Sequence, residues 1–179
     1  MAAANFKVLE AIAVKVLDSA ARQGLMIAGA ESCTGGLVSA VLTAIPGSSS
    51  AFAGCAVCYS NKAKQQILGV PARLLADYGA VSMQTALAMA HGAVSFFGVD
   101  IAYAVTGVAG PGGGSPEKPV GTVWFSLSMK GRDWTDMQSF DGSRDAIRHE
   151  ATRYILLRLL SVLEPDVSPL ADAGTGLVS

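Results

Sequence analysis

The chain has 179 residues, 51% of them hydrophobic, with a mean hydropathy of +0.42, enough for one well-filled core and too short to expect two. A formal net charge of −1 and a pI near 6.1 argue against a nucleic-acid partner, which would call for a clustered basic surface. No uncharged apolar run approaches the roughly 20 residues that span a bilayer, and Met1 to Glu10 lacks the form of a signal peptide. A cytoplasmic protein without membrane association is expected. Its three cysteines should be reduced thiols. The low charge content, with so much Ala and Gly, points to a homo-oligomer.

The first 24 residues set Phe6, Leu9, Ile12, Ala13, Val16, Leu17 and Ala20 at helical spacing, and Gly24 stops the pattern. Leu25 to Ala30 then reads as a short strand. Gly36 to Ile45 reads as a helix ended by Pro46-Gly47. Between them lies Ala30-Glu31-Ser32-Cys33-Thr34-Gly35-Gly36, a strand-to-helix corner that brings hydroxyls and a thiol to the exposed N–H groups of a helix start. Phe52 to Tyr59 predicts a second strand, and Asn61 an N-cap for a helix over Lys62 to Leu68. A short helix over Ala72 to Asp77 follows, and Ser82 caps another over Met83 to Phe97.

Asp100 to Thr106 predicts a buried strand running into a loop, Gly107 to Pro119, too rich in Gly and Pro for regular structure. Val120 to Met129 and Trp134 to Phe140 form a hairpin around Gly131, and Ser143 caps a last helix, Arg144 to Leu163. Early alternation followed by a hairpin predicts an α/β domain over residues 1–164: three layers, α/β/α, with a mixed, mostly parallel sheet. Residues 165–179 read as a flexible tail.

Ser32 needs a base to become a nucleophile. N–H groups around Thr34, Gly35 and Gly36 are candidate oxyanion donors. Neither His91, in an apolar helix, nor His149, in the last helix, falls near the corner. Lys64 lies in the first turn of its helix, where the dipole and partial burial would lower its pKa. It could serve as general base for Ser32, with the Tyr59 hydroxyl relaying or holding the proton; a solvated lysine is the plain alternative. Position 35 is Gly, so the Ser-x-x-Lys spacing is absent and any Ser–Lys pair must form through space.

The glycine loop is neither a Walker A nor a dinucleotide fingerprint. Its successive N–H groups suit an anion, although a flexible surface loop fits equally. Arg144 and Arg148 could clamp a phosphate or carboxylate, or simply be solvated. Cys55 and Cys58 form a lone C-x-x-C whose members point to opposite faces of a strand, and no metal site is expected. Cys33 could rival Ser32 as nucleophile, but a small buried residue is the preferred reading.

The blocks Ala30 to Gly36, Tyr59-Ser60-Asn61-Lys62-Ala63-Lys64, Gly79 to Ser82, Thr106 to Gly113 and Lys118 to Trp124 occur in register. Together they resemble the CinA C-terminal domain family, over about Asn5 to Leu163. The resemblance implies a nicotinamide-nucleotide amidase that hydrolyses nicotinamide mononucleotide to nicotinate mononucleotide and ammonia in pyridine-nucleotide salvage. It implies no cofactor or metal, Ser32 as nucleophile, Lys64 as base and Tyr59 as its partner. A dimer or larger oligomer is also implied. Some members carry a further N-terminal domain with pyrophosphatase activity, for which this chain has no room, so the amidase alone is expected. The substrate phosphate is placed against Thr106, Gly107, Ala109, Gly110, Gly112, Gly113 and Arg144. Two departures are visible: Gly112 and Gly114 enrich the loop in glycine, and Cys58 precedes Tyr59 where Thr is common. Two rival readings stand beside this one, a non-catalytic nucleotide-binding or regulatory module and an amidase for another small amide.

Overall fold

The structure is a computed structural model that describes residues 2–165, with the side chains of 6–165. The expected tail lies almost wholly outside the described residues. In chain order the elements are α1 (Ala2–Arg22), β1 (Ile27–Glu31), α2 (Leu37–Thr43), β2 (Phe52–Val57), α3 (Asn61–Leu68), α4 (Ala72–Tyr78), α5 (Met83–Phe97), β3 (Ile101–Gly107), β4 (Thr122–Met129), β5 (Arg132–Ser139) and α6 (Arg144–Leu163). Every element read from the sequence is present, with boundaries displaced by a few residues.

One five-stranded sheet has the order β2-β1-β3-β4-β5. β1 pairs in parallel with β2 and β3, while β3/β4 and β4/β5 are antiparallel, giving the mixed sheet of the α/β class. The two faces are covered differently. Ile27, Ile101, Tyr103, Val105, Phe125 and Leu127 meet α1, α2 and α6 in a core of large side chains. Ala28, Ala30, Ala56, Ala102 and Ala104 turn the other way, toward α3, α4 and α5. Small side chains on that face let the helices pack tightly, and both faces being buried explains the near-continuous apolar runs in β1 and β3. Among the described residues no helix is long and apolar enough to cross a membrane.

Local differences have local causes. α2 ends at Thr43 rather than Ile45, because the residue before Pro46 is disfavoured in helical geometry. Ser60, not Asn61, caps α3, its Oγ accepting from the Ala63 N–H at 3.1 Å. The hairpin turn is the two residues Lys130-Gly131, since Arg132 already pairs with Met129 and Gly131 takes φ +77°. β1 extends one residue further than expected, to Glu31, a buried acid at the end of an apolar strand.

The chain leaves β1 for β2 on one side and returns to β3 on the other. The carboxyl ends of β1 and β3 therefore flank the point where strand order reverses, the usual position of a site in open α/β sheets. Ser32 follows the first of these strands, and Thr106 and Gly107 close the second.

Candidate active site

Sheet register locks the Ser32 corner before any side chain is considered. The Ser32 N–H donates to the Val105 carbonyl at 2.9 Å, and the Cys58 N–H donates to the Glu31 carbonyl at 2.8 Å. The end of β2 is thereby held beside Ser32, and α3 starts three residues beyond Cys58. Side chains on a helix lean toward its N-terminus, and Lys64, in the first turn of α3, reaches back to this junction. Its Nζ donates to Ser32 Oγ at 2.9 Å and to the Cys58 carbonyl at 2.8 Å, with the Tyr59 carbonyl at 3.5 Å.

Lys64 is 1% exposed and Ser32 7%, so the pair is enclosed. Burial pushes the Lys64 pKa below its ordinary value of 10.5, opposed by negative charge on Cys58 or Cys33 when those thiols ionise. No acid faces it within salt-bridge distance among the described residues. A lysine so placed yields its proton more readily than a surface one and can take the proton of an attacking hydroxyl. In contrast, burial raises the Cys33 thiol to about 12, helped by the nearby Glu31 charge and opposed by its own and the Thr34 N–H. Cys33 is therefore held as a thiol, the unreactive form.

Two of the three N–H groups expected to receive an oxyanion are already engaged. The Gly35 N–H already donates to the Ser32 carbonyl at 3.1 Å and the Gly36 N–H to Glu31 Oε2 at 2.8 Å. The positive end of α2 is consumed by Glu31. What stays without a backbone acceptor among the described residues are the N–H groups of Cys33 and Thr34. The buried Thr34 hydroxyl likewise has no partner. The Thr34 carbonyl accepts two bonds from Arg148, at 3.1 Å from Nε and 2.8 Å from Nη2, so this arginine steadies the corner from α6 and is not a free anion clamp.

Tyr59 also departs from its expected place. Its side chain is 62% exposed, and its hydroxyl accepts from Arg144 Nη2 at 2.9 Å, so it is the backbone of Tyr59, not its phenol, that lies near Lys64. The hydroxyl does not bond Lys64 or Ser32. Arg144 Nη1 donates to the Gly110 carbonyl at 2.7 Å, joining the glycine loop to Tyr59. Thr106 is buried, and its hydroxyl donates to the Ala80 carbonyl at 2.8 Å.

The glycines of the loop divide into two sets. A Cβ on Gly107 would lie 2.6 Å from the Thr122 carbonyl oxygen, and one on Gly110 2.6 Å from Val120 Cγ1. These two, with Gly114, whose Cβ would lie 2.8 Å from the Val120 backbone nitrogen, are required for the loop to fold back on its own end. Gly112 has nothing within 4 Å and is exposed, as is Gly113, while Ala109 is buried. Only the first half of the loop, through Gly110, is tied to Arg144. His91 pairs at the surface with Asp133 at 2.9 Å and lies away from Ser32 contacts. Cys55 packs on the α2 side of the sheet and Cys58 in the opposite core, so no C-x-x-C chelate forms between them.

A hydroxyl is thus held against a buried lysine at the strand reversal of an α/β domain, an arrangement that contains the parts nucleophilic acyl transfer requires. Residues 9–163 match the CinA C-terminal domain, and the chain belongs to that family. A CinA-like protein of Mycobacterium sp. (strain JLS) is 51% identical over 142 residues, covering 79% of this chain and 34% of that protein. One from Geobacter metallireducens is 54% identical over 125 residues, covering 70% and 30%. The chain thus spans about a third of the length of these curated relatives. Among solved structures, the competence/damage inducible protein CihA from Agrobacterium tumefaciens superposes with a TM-score of 0.83 at 43% identity, covering 87% of this chain and 94% of that one. The competence damage-inducible protein A of Klebsiella pneumoniae superposes with a TM-score of 0.84 at 35% identity, covering 87% and 96%.

Proposed function

We propose that this domain is a serine amidohydrolase that converts nicotinamide mononucleotide to nicotinate mononucleotide and ammonia. The observation that carries the reading is the enclosed contact of 2.9 Å between Lys64 Nζ and Ser32 Oγ, with the lysine pKa lowered by burial. Neutral Lys64 takes the proton as Ser32 Oγ bonds to the carboxamide carbon. The tetrahedral oxyanion is received by the N–H groups of Cys33 and Thr34 in place of those of Gly35 and Gly36. Lys64 returns the proton to the departing ammonia, and water then cleaves the acyl-enzyme with Lys64 again as base. Arg144, which bonds the Tyr59 hydroxyl and the Gly110 carbonyl and so ties the glycine loop to the residue after Cys58, is the group we assign to the substrate phosphate. Thr106, Gly107, Ala109 and Gly110 complete that side, whereas the exposed Gly112 and Gly113 contribute loop conformation.

Purified protein should release ammonia from nicotinamide mononucleotide. Binding of the mononucleotide without turnover would instead support a regulatory module, and preference for free nicotinamide would move the reading to another amide. Because Lys64 must be neutral to act, kcat/KM should rise with pH through an apparent pKa below 10.5. A profile that stays flat from about pH 6 up to the usual lysine range would exclude Lys64 as the titrating base. Cys33→Ala should keep activity within about threefold, since a thiol held protonated contributes no nucleophile. Loss of turnover in that variant with retention in Ser32→Ala would reassign the nucleophile.

A further inference from the structure

Glu31 is fully buried immediately before the nucleophile, and five donors converge on its carboxylate. Oε2 accepts from the N–H groups of Gly36 at 2.8 Å and Val38 at 3.3 Å. Oε1 accepts from the Ser39 N–H at 2.8 Å, the Tyr103 hydroxyl at 3.2 Å and the Cys55 thiol at 3.5 Å. The side chain therefore bolts the first turn of α2 to the end of β1 and closes a ring over Ser32 to Gly35. Gly29 is part of the same device: a Cβ there would lie 2.2 Å from Tyr103 Cζ, so only glycine lets the ring lie across β1 with its hydroxyl at Glu31.

We infer that Glu31 is the positioning residue of this site, the group that holds Ser32 Oγ against Lys64 by tying the nucleophile corner to the helix that follows it. The inference rests on Ser32 acting as the nucleophile. The chemistry of the partners makes it specific to a carboxylate. Gly36, Val38 and Ser39 present backbone N–H groups, which can only donate. A glutamine of nearly the same shape would aim its NH2 at Gly36 and Val38 in one orientation and at Ser39 in the other. Either way donor faces donor in a buried place, where such a mismatch must be relieved by movement. Aspartate, one methylene shorter, cannot span from β1 to three N–H groups of α2. The same contacts explain why the start of α2 is not an anion site for the substrate: its positive end already holds a carboxylate.

The test measures Ser32 directly with a fluorophosphonate, in which Ser32 Oγ bonds to phosphorus, fluoride leaves and Lys64 takes the hydroxyl proton. Labelling rate, kcat and KM are compared for wild type and Glu31→Gln, per folded molecule by circular dichroism. A merely stabilising acid would change how much protein is folded and leave each folded molecule's rate alone. The expected result is a fall of about 10²-fold in both labelling and kcat, with KM within about twofold. Folded Glu31→Gln that labels and turns over within about threefold of wild type overturns the inference. Should Glu31→Gln fail to fold, Tyr103→Phe decides: it removes one donor and is expected to slow labelling by about three- to tenfold at unchanged KM, and a wild-type rate overturns the inference. Wild type that labels at Ser32 but releases no ammonia would defeat the amidase reading while leaving the labelling comparison decisive for Glu31. Wild type that does neither defeats both.

Discussion

Lys64→Met should lower kcat for ammonia release from nicotinamide mononucleotide by about 10²- to 10⁴-fold, the range for loss of a positioned general base. Ser32→Ala should reach about 10⁴-fold or more, roughly 5.5 kcal/mol of transition-state stabilisation. The double variant should be no worse than Ser32→Ala alone, because a hydroxyl and its base act as one unit and their losses do not add. Additive losses would mean that Lys64 serves some step in which Ser32 takes no part. Stability should move the other way. The folded state holds the Lys64 proton less tightly than the unfolded chain does, so its burial works against folding below the lowered pKa and is relieved as pH rises toward 10.5. Lys64→Met removes that penalty, so its thermal midpoint relative to wild type should be most favourable near neutrality and lose ground as pH climbs. A constant difference across pH would show that the ammonium is not the source.

Gly92→Ala should cost about 3 kcal/mol, the upper end for an overpacked core, and lower the thermal midpoint by roughly 6–12 °C in a chain of this size. Gly92 lies in the middle of α5, where α3 crosses it, and an added Cβ would fall 2.1 Å from the Leu68 carbonyl oxygen. That oxygen is backbone and cannot rotate away. Relief must come from shifting α3, and Lys64 stands one turn before Leu68 on the same helix. A shift near 1 Å is enough to spoil a proton-transfer contact, so kcat should fall by about tenfold or more even in the folded fraction. A midpoint within about 2 °C of wild type, with unchanged kcat, would show that the α3–α5 contact yields without cost and does not govern the site.

Both expectations concern residues whose roles are unequally visible in the chain. Lys64 stands in a block that resembles a known family, and its position in the first turn of a helix was enough to suggest a perturbed amine. Gly92 sits inside an apolar helical run where nothing local distinguishes it from a tolerated glycine. Its requirement comes from a second helix. Glu31 was equally silent: an acid beside a serine reads as a polar corner, and only the fold shows three N–H groups of α2 directed at it. Its one local signal is the following Gly35-Gly36, both at positive φ, which turns the chain sharply enough for a side chain to reach forward. Tyr59 erred in the opposite sense, because proximity in sequence to Lys64 suggested a partner that the structure gives to Arg144, 85 residues away.

What the sequence determined by itself was the order and type of the elements, since caps, glycine stops and apolar periods act within a few residues. It also set the two corners, one carrying Ser32 and one carrying Lys64, and the glycine loop. What only the tertiary structure decided was which groups meet. Ser32 and Lys64 are 32 positions apart and come to 2.9 Å because parallel pairing of β1 with β2 brings their two corners to one end of the sheet. Two of the three expected oxyanion donors are engaged for a related reason: an N–H is free or taken according to what packs against it, and here the Ser32 carbonyl holds the Gly35 N–H and the buried Glu31 that of Gly36.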